Sequence, residues 1–415
     1  MNTLEREREW PRQLPRRSFF TMTAAGTAKR ERLESVDVVR GVIMILMALD
    51  HTRDYLGTSA SPTNIGTVTV GLFFTRWITH FCAPTFFLLT GTGAYLSLRR
   101  KSKRELSRFL FTRGLWLIFL ELVVVRALGF QFNLDFRVTM LYILWALGWS
   151  MIALSVLMYA PIRIVSAVGI VMILTHNLFD SVQASSFGIF APLWTILHAP
   201  GLLYADKEHF VLAAYVLIPW IGVTAVGFGL GPIFNWAPER RKKFLLTAGL
   251  ALTGSFIALR ALNVYDDPAP WHSQRSAVFT ALSFLNANKY PPSLLFLLMT
   301  LGPVLLLLRA VDGRTPALIR PALTYGKVPL FYYMLHLSLI HLVAVAICYY
   351  QNGAIHWMFE SPTLANTPFT PPPGWGLALP WVYFWWAIVV ISLYPLCWWF
   401  GALKQRRTDP WLSYL

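Results

Sequence analysis

RLESVDVVRGVIMILMALDHTRDY, residues 32–55, decides how this chain is read. The stretch has the length and apolar centre of a membrane-spanning helix. It nevertheless carries Asp37, Arg40, Asp50, His51, Arg53 and Asp54. Ionisable groups at bilayer depth are costly and seldom occur there without a role. On an ideal helix each residue turns about 100° and rises about 1.5 Å. Arg40 and His51 are eleven residues apart, so they return to within roughly 20° of one face and stand roughly 16 Å apart along it. Asp37 and Tyr55 join that stripe. A cation near one membrane surface and an imidazole further along suit a long anionic substrate whose reactive end must meet a base.

The rest of the chain supports a membrane setting. It has 415 residues, 56% hydrophobic and 13% charged. Apolar runs of about 20 residues recur along it. The expected fold is all-α, a polytopic integral membrane helical bundle with about ten transmembrane helices, because backbone polar groups in lipid must be satisfied internally. A β-barrel would show shorter alternating segments. Spans are expected near 36–56, 72–97, 108–129, 136–160, 162–179, 209–230, 243–262, 291–309, 323–347 and 379–402.

The basic clusters at 99–108, 238–243, 309–320 and 404–407 all fall on one side if both termini lie inside. The loops 57–71, 180–208, 263–290 and 348–378 then lie outside and carry little clustered positive charge, as the positive-inside rule expects. Within loop 180–208, FGIFAPLWTILHAPGLLY reads as re-entrant or interfacial, with Trp194 and Tyr204 at headgroup level. Residues 1–34 read as a mobile cytoplasmic tail, 35–403 as one membrane domain and 404–415 as a cytoplasmic C-terminal tail. Arg16-Arg17-Ser18-Phe19-Phe20 looks like a twin-arginine signal, but the TMTAAG that follows is too short and polar for its apolar core.

A net charge of +16 reflects cytoplasmic loops rather than nucleic-acid binding. The three cysteines, Cys82, Cys348 and Cys397, form no CxxC pair or disulfide framework, and no metal site is expected. P-loop, dinucleotide, HExxH and GxSxG motifs are all missing.

Several residues carry chemistry. His51, with Asp50 and Asp54 nearby, suits a general base whose tautomer a carboxylate fixes. A self-paired charge cluster at the helix end is the simpler alternative. Arg76 and His80 share a helix face one turn apart, although His80 equally suits a satisfied core histidine. Gly91, Thr92, Gly93 and Ala94 allow close helix approach. Glu121 needs a partner or a proton at mid-membrane, and Arg113 or Arg126 could supply the charge. Arg108, Arg113 and Lys327 lie where cytoplasmic phosphates could be held. His336 and His341, five residues apart, do not share a face as zinc ligands would, and a haem pair would need a facing helix. Asn286 and Lys289, before Tyr290-Pro291-Pro292, could meet a polar acceptor or form an ordinary helix-start turn.

RLESVDVVRG, MALDHTRDY, FFTRWITHFCAPTFFLLTGTGAYLSLRR, NKYPPSLLFLLMTLGP and YGKVPLFYYMLHLSLIH occur here in order. Together they resemble bacterial proteins related to heparan-α-glucosaminide N-acetyltransferase, over most of residues 32–345. The wider superfamily of transmembrane acyltransferases includes bacterial sugar O-acetyltransferases. Its first span begins with Asp-x-x-Arg-Gly and ends with a histidine eleven residues after the arginine, which Arg40 and His51 match. The resemblance implies His51 as catalytic base and Arg40 as a contact for the acyl donor. Residues 57–79 contain no histidine, so the resemblance does not carry over a heparan-type acceptor.

The reading is an acyl-CoA-dependent acetyltransferase of the bacterial inner membrane, multi-pass, with acetyl-CoA as donor and no metal. Arg40, Arg108, Arg113 and Lys327 would hold the donor. His51, Asp50, Asp54 and His80 would form the catalytic group. Arg76, Asn286 and Lys289 would meet the acceptor or the oxyanion. Its partners would be the lipid bilayer, acyl-CoA and an extracytoplasmic glycan, and a homo-oligomer is compatible with the sequence. The alternatives are a carrier for an anionic or sugar-like solute and a receptor or assembly subunit without chemistry.

Overall fold

The computed structural model describes residues 34–415 apart from 59–60, 264–266, 364–369 and 408. The expected N-terminal tail lies outside these residues except for Glu34, which opens the first helix. Helix α1 (Glu34–Leu56) is the hub. It packs on α2 (Val70–Thr79), α3 (Cys82–Ser97), α11 (Leu294–Val311), α12 (Ala322–Lys327), α13 (Pro329–Asn352) and α14 (Leu379–Arg406). Asp37, Asp50 and Arg53 are buried within the bundle rather than facing lipid, which is how a bundle tolerates them. Around this hub lie α4 (Lys103–Phe119), α5 (Ile143–Leu157), α6 (Ile162–Thr175) and the short α7 (Ala191–Leu197). The remaining helices are α8 (Leu217–Leu230), α9 (Pro238–Leu262) and α10 (Ala277–Leu285).

Among the described residues, seven helical segments are long and apolar enough to cross a membrane. Three further helices stand outside that set: α1 and α4 carry too many charges, and α5 has only 15 residues. The protein is a helical polytopic membrane protein.

Several boundaries depart from the expected spans for local reasons. The second span is broken at His80 and Phe81, between α2 and α3. Pro84 lacks an N–H, and its ring crowds the carbonyl four residues back, which is that of His80. The ninth span divides at Val328, whose backbone is non-helical (φ −135°, ψ 50°). The following Pro329 disfavours helical geometry there.

Helix α4 runs on as a π-helix over Leu120–Phe130. The last carbonyls of this π-helix accept from side chains on neighbouring helices, as helix ends require. Tyr55 Oη donates to Gly129 O at 2.9 Å, and Ser338 Oγ donates to Leu128 O at 2.7 Å.

The expected spans at 136–160 and 209–230 both begin as strands instead. β1 (Val138–Leu141), β2 (Gly201–Ala205) and β3 (Phe210–Ala213) form a small sheet in the order β1-β3-β2. β1 runs parallel to β3 with Val138 opposite Phe210, and β2 runs antiparallel to β3. Each strand is short, and pairing satisfies backbone groups that no helix serves.

The expected C-terminal tail is only partly free of the bundle. α14 continues to Arg406, Leu412 is buried, and the Tyr414 hydroxyl lies 2.7 Å from Thr112 Oγ1 on α4.

Candidate active site

His51 and His336 come together from α1 and α13. Nδ1 of His51 lies 2.7 Å from Nε2 of His336. The ring planes are only 17° apart and the centroids 5.0 Å apart. That centroid separation exceeds the nitrogen–nitrogen distance by about the two ring radii, so the rings meet edge to edge in a well-aligned hydrogen bond. Phe130 and Tyr333 close on His51 edge-on, with centroids 6.4 and 6.2 Å away. His336 is fully buried, while His51 keeps some accessible surface.

The direction of this contact follows from its far end. Nδ1 of His336 lies 2.9 Å from the carbonyl oxygen of Tyr332. A carbonyl can only accept, so His336 carries its proton on Nδ1. In the neutral ring Nε2 is then an acceptor, and Nδ1 of His51 must donate to it. His51 is left with an unprotonated Nε2, which makes no hydrogen bond among the described residues. A fixed tautomer with a bare second nitrogen is the arrangement a general base needs. The supporting group is an imidazole, and neither Asp50 nor Asp54 hydrogen-bonds to His51.

Asp50 has other work. Its carboxylate accepts from Arg76 at 2.6 and 2.8 Å and from Thr79 Oγ1 at 2.8 Å, and it pairs with Arg53 at 2.9 Å. Arg53 also pairs with Asp54. Paired charges and hydrogen bonds make this buried cluster tolerable. Lys289 is buried beside it, with Nζ 5.1 Å from the Tyr290 ring and 5.9 Å from the Tyr215 ring. His80 sits at the break between α2 and α3, edge-on to Phe296, with a buried Nδ1 that has no partner. It makes no hydrogen bond to His51. Asn286 is not part of this group. Its side-chain amide donates to Thr63 O at 3.1 Å and tethers the loop after α1.

At the other end of α1, Arg40 bonds Asp37 at 2.8 Å and the Gly326 carbonyl at 3.3 Å. α1 and α12 touch backbone to backbone here. A Cβ on Gly41 would stand 1.8 Å from Ala322 O, and one on Gly326 would stand 1.8 Å from Asp37 O. Only glycine permits that approach. Arg40 and His51 thus face consecutive segments of one strip, α12 followed by α13, as their shared helix face predicts. Lys327 follows Gly326 at the end of α12. Arg113 lies close enough to Arg40 for the two cations to repel, with its guanidinium 5.9 Å from the Phe109 ring. Arg108 is exposed.

Glu121 pairs with neither Arg113 nor Arg126. Its carboxylate accepts from the backbone amide of Leu144 at 2.7 Å. The first turn of α5 offers unsatisfied amides and the positive end of a helix dipole, which suits a buried carboxylate. Arg126 instead holds the chain before β1. It donates to Val138 O at 2.9 Å and Asn133 O at 3.1 Å, and pairs with Asp135 at 2.9 Å. Glu121, Arg126, Phe130, Gln131 and Tyr142 line a small, partly open pocket. Phe130 is shared between this pocket and His51, and Gln131 Oε1 is buried there without a partner. His341 lies with Nδ1 3.0 Å from Gly129 O and Nε2 2.7 Å from Met358 O, and a neutral ring can donate to only one of these carbonyls.

Sequence reasoning passed over His336 as the partner of His51. Its only local signal was a histidine within an apolar helix, and the 285-residue separation hides the pairing.

A family model described as "Heparan-alpha-glucosaminide N-acetyltransferase, catalytic" matches residues 32–265. The match takes in Arg40, Asp50, His51, Arg76 and His80 and ends before Lys289 and His336. No curated protein matches the chain.

Proposed function

The chain belongs to the heparan-α-glucosaminide N-acetyltransferase catalytic family, and on that premise we propose that His51 is the general base of a transmembrane acetyl transfer. Membership implies acyltransferase activity. The donor in this reading is acetyl-CoA from the cytoplasm. The acceptor is a hydroxyl or amine on an extracytoplasmic glycan. The protein then sits in a bacterial inner membrane with both termini cytoplasmic, as the basic loops favour.

Nε2 of His51 removes the acceptor proton as the oxygen or nitrogen attacks the thioester carbonyl. The tetrahedral intermediate collapses, the carbon–sulfur bond breaks, and the imidazolium returns the proton to the CoA thiolate. His336 orients His51 and shares the charge as it forms. Arg76 and Lys289 supply a positive field for the oxyanion, with Asp50 and Arg53 setting its strength. Arg40, Arg113 and Lys327 meet the donor phosphates at the opposite end. The acceptor approaches His51 from the side of Phe130, which packs edge-on to the ring.

One observation carries this reading: the His51–His336–Tyr332 chain has a single direction, and it leaves Nε2 of His51 basic. The test uses purified protein in detergent with acetyl-CoA and a panel of soluble glycans, reading CoA release and product mass. His51→Ala should abolish transfer in a chain that still inserts and remains monodisperse. Near-normal transfer would remove His51 from the mechanism. Solute-coupled proton flux in vesicles without any CoA release would indicate a carrier instead.

A further inference from the structure

At the end of α6, away from His51, a second group of histidines converges. His176, Asp180 and His198 each offer one ligand atom, and the three atoms lie within 4.8 Å of one another. His176 lies in the turn after α6, Asp180 one turn further on, and His198 caps α7. Both imidazoles are almost wholly buried, while Asp180 is partly open to solvent. Hydrogen bonding explains only part of the arrangement. Nε2 of His198 lies 3.1 Å from Asp180 Oδ1. Neither buried ring nitrogen of His176 makes a well-formed hydrogen bond, with only the Pro292 backbone in reach, and Nδ1 of His198 is unpartnered. Buried polar atoms without partners are uncommon and call for an explanation.

We propose that His176, Asp180 and His198 bind one divalent first-row transition-metal ion, with zinc the best match, and that the ion clips α7 to the end of α6. Two imidazoles and one carboxylate leave a fourth position for water, an arrangement zinc accepts. Ligand bonds of about 2.0–2.1 Å place tetrahedral ligand atoms roughly 3.3–3.5 Å apart. The His198–Asp180 separation is already close to that value, and rotation of the His176 ring closes the remainder. An outer contact orients the carboxylate, as metal sites generally show. Asn177 Nδ2 donates to Asp180 Oδ2 at 2.9 Å. Asn177 Oδ1 in turn accepts from the Leu294 amide at the start of α11, at 3.0 Å. The clip is thereby connected to the Lys289–Pro292 turn that borders the Asp50 cluster. The sequence gives no compact metal motif because His176 and His198 are 22 residues apart, across a loop that only the fold brings back.

The experiment takes tag-free protein in detergent, strips it with EDTA, adds zinc chloride and measures retained zinc by mass spectrometry after desalting. Titration calorimetry supplies the affinity. About one zinc per chain is expected, and at least roughly tenfold weaker binding in His176→Ala and His198→Ala. His209→Ala, at an exposed histidine outside the group, should bind zinc as the parent does. Cobalt loading should give a visible absorption band that Asp180→Asn perturbs, and zinc should raise the melting temperature of the parent but not of His176→Ala. Zinc no higher than in the doubly substituted His176→Ala/His198→Ala chain would overturn the proposal. So would equal zinc in parent and single variants. The stoichiometry is read without acyl transfer, so the outcome is independent of the role given to His51.

Discussion

The edge-to-edge contact between His51 and His336 joins the first helix of the chain to a helix 285 residues later, with nitrogen atoms 2.7 Å apart. It replaces the carboxylate that usually orients a catalytic histidine with a neutral ring anchored on a backbone carbonyl. In the proposed mechanism, the charge that develops on His51 during transfer would be shared with an uncharged partner. Arg76, Arg53 and Lys289 stand nearby, and Asp50 is occupied in balancing them.

Removing the anchor should slow chemistry more than binding. His336→Ala frees His51 to take the wrong tautomer, and kcat should fall by about 10²–10⁴-fold with little change in the KM for acetyl-CoA. His336→Gln, whose carbonyl can still accept from His51, should recover part of the loss and shift the pH profile of kcat. Equal losses in both variants, with no change in the profile, would mean a purely structural role. Steady-state kinetics over a range of pH decides this.

The Asp50–Arg76 pair should behave as a buried ion pair. Arg76→Ala leaves Asp50 with fewer compensating charges and should cost about 3–5 kcal/mol of stability. Asp50→Asn should cost at least as much, because Arg76 then loses its carboxylate partner, whereas in Arg76→Ala Asp50 keeps Arg53 and Thr79. Thermal melting in detergent, followed by intrinsic fluorescence, compares the two. A parent-like melting temperature for Arg76→Ala would show that the cluster does not hold the helices together.

Gly41 and Gly326 should resist any side chain. A single methyl group at either position meets a backbone oxygen, so α1 and α12 must separate, at a cost of about 1–3 kcal/mol or more. That separation also breaks the Arg40–Gly326 contact. Gly326→Ala should therefore lower the melting temperature and raise the KM for acetyl-CoA together. Gly93→Ala is the control, because a Cβ there meets nothing within 4 Å.

Asp135 predicts a pH dependence. Burial acts to raise its pKa, but the Arg137 amide, the Ser361 hydroxyl and the Arg126 guanidinium outweigh it and hold the carboxyl below the usual value. A folded pKa below the unfolded one adds stability above the unfolded value of about 3.9, and that stability is lost as pH falls through the folded pKa. The group is a third exposed, so the contribution is about 1 kcal/mol or less. Asp135→Asn should be the less stable chain near neutral pH, and the gap should close in acid. A gap that widens in acid would contradict the assignment.

Much of the architecture was legible in the residues alone. Apolar runs long enough to span lipid, separated by basic loops on one side, specify a helical bundle, because no other open structure satisfies its backbone there. The eleven-residue interval from Arg40 to His51 placed both on one face, since helix periodicity is a local property. The breaks at Pro84 and Pro329 were also encoded locally, although the expected spans ran through them. Partnerships were different. Asp50 is adjacent to His51 in sequence, yet it turns about 100° away on the helix and pairs with Arg76 on α2. Glu121 finds a helix amide instead of an arginine. His336 reaches His51, and His176 reaches His198, only because helices distant in the chain pack against each other. Local sequence fixes which way a side chain leaves its own helix. Which group waits across the gap depends on long-range packing, and one sequence carries no periodic signal of that.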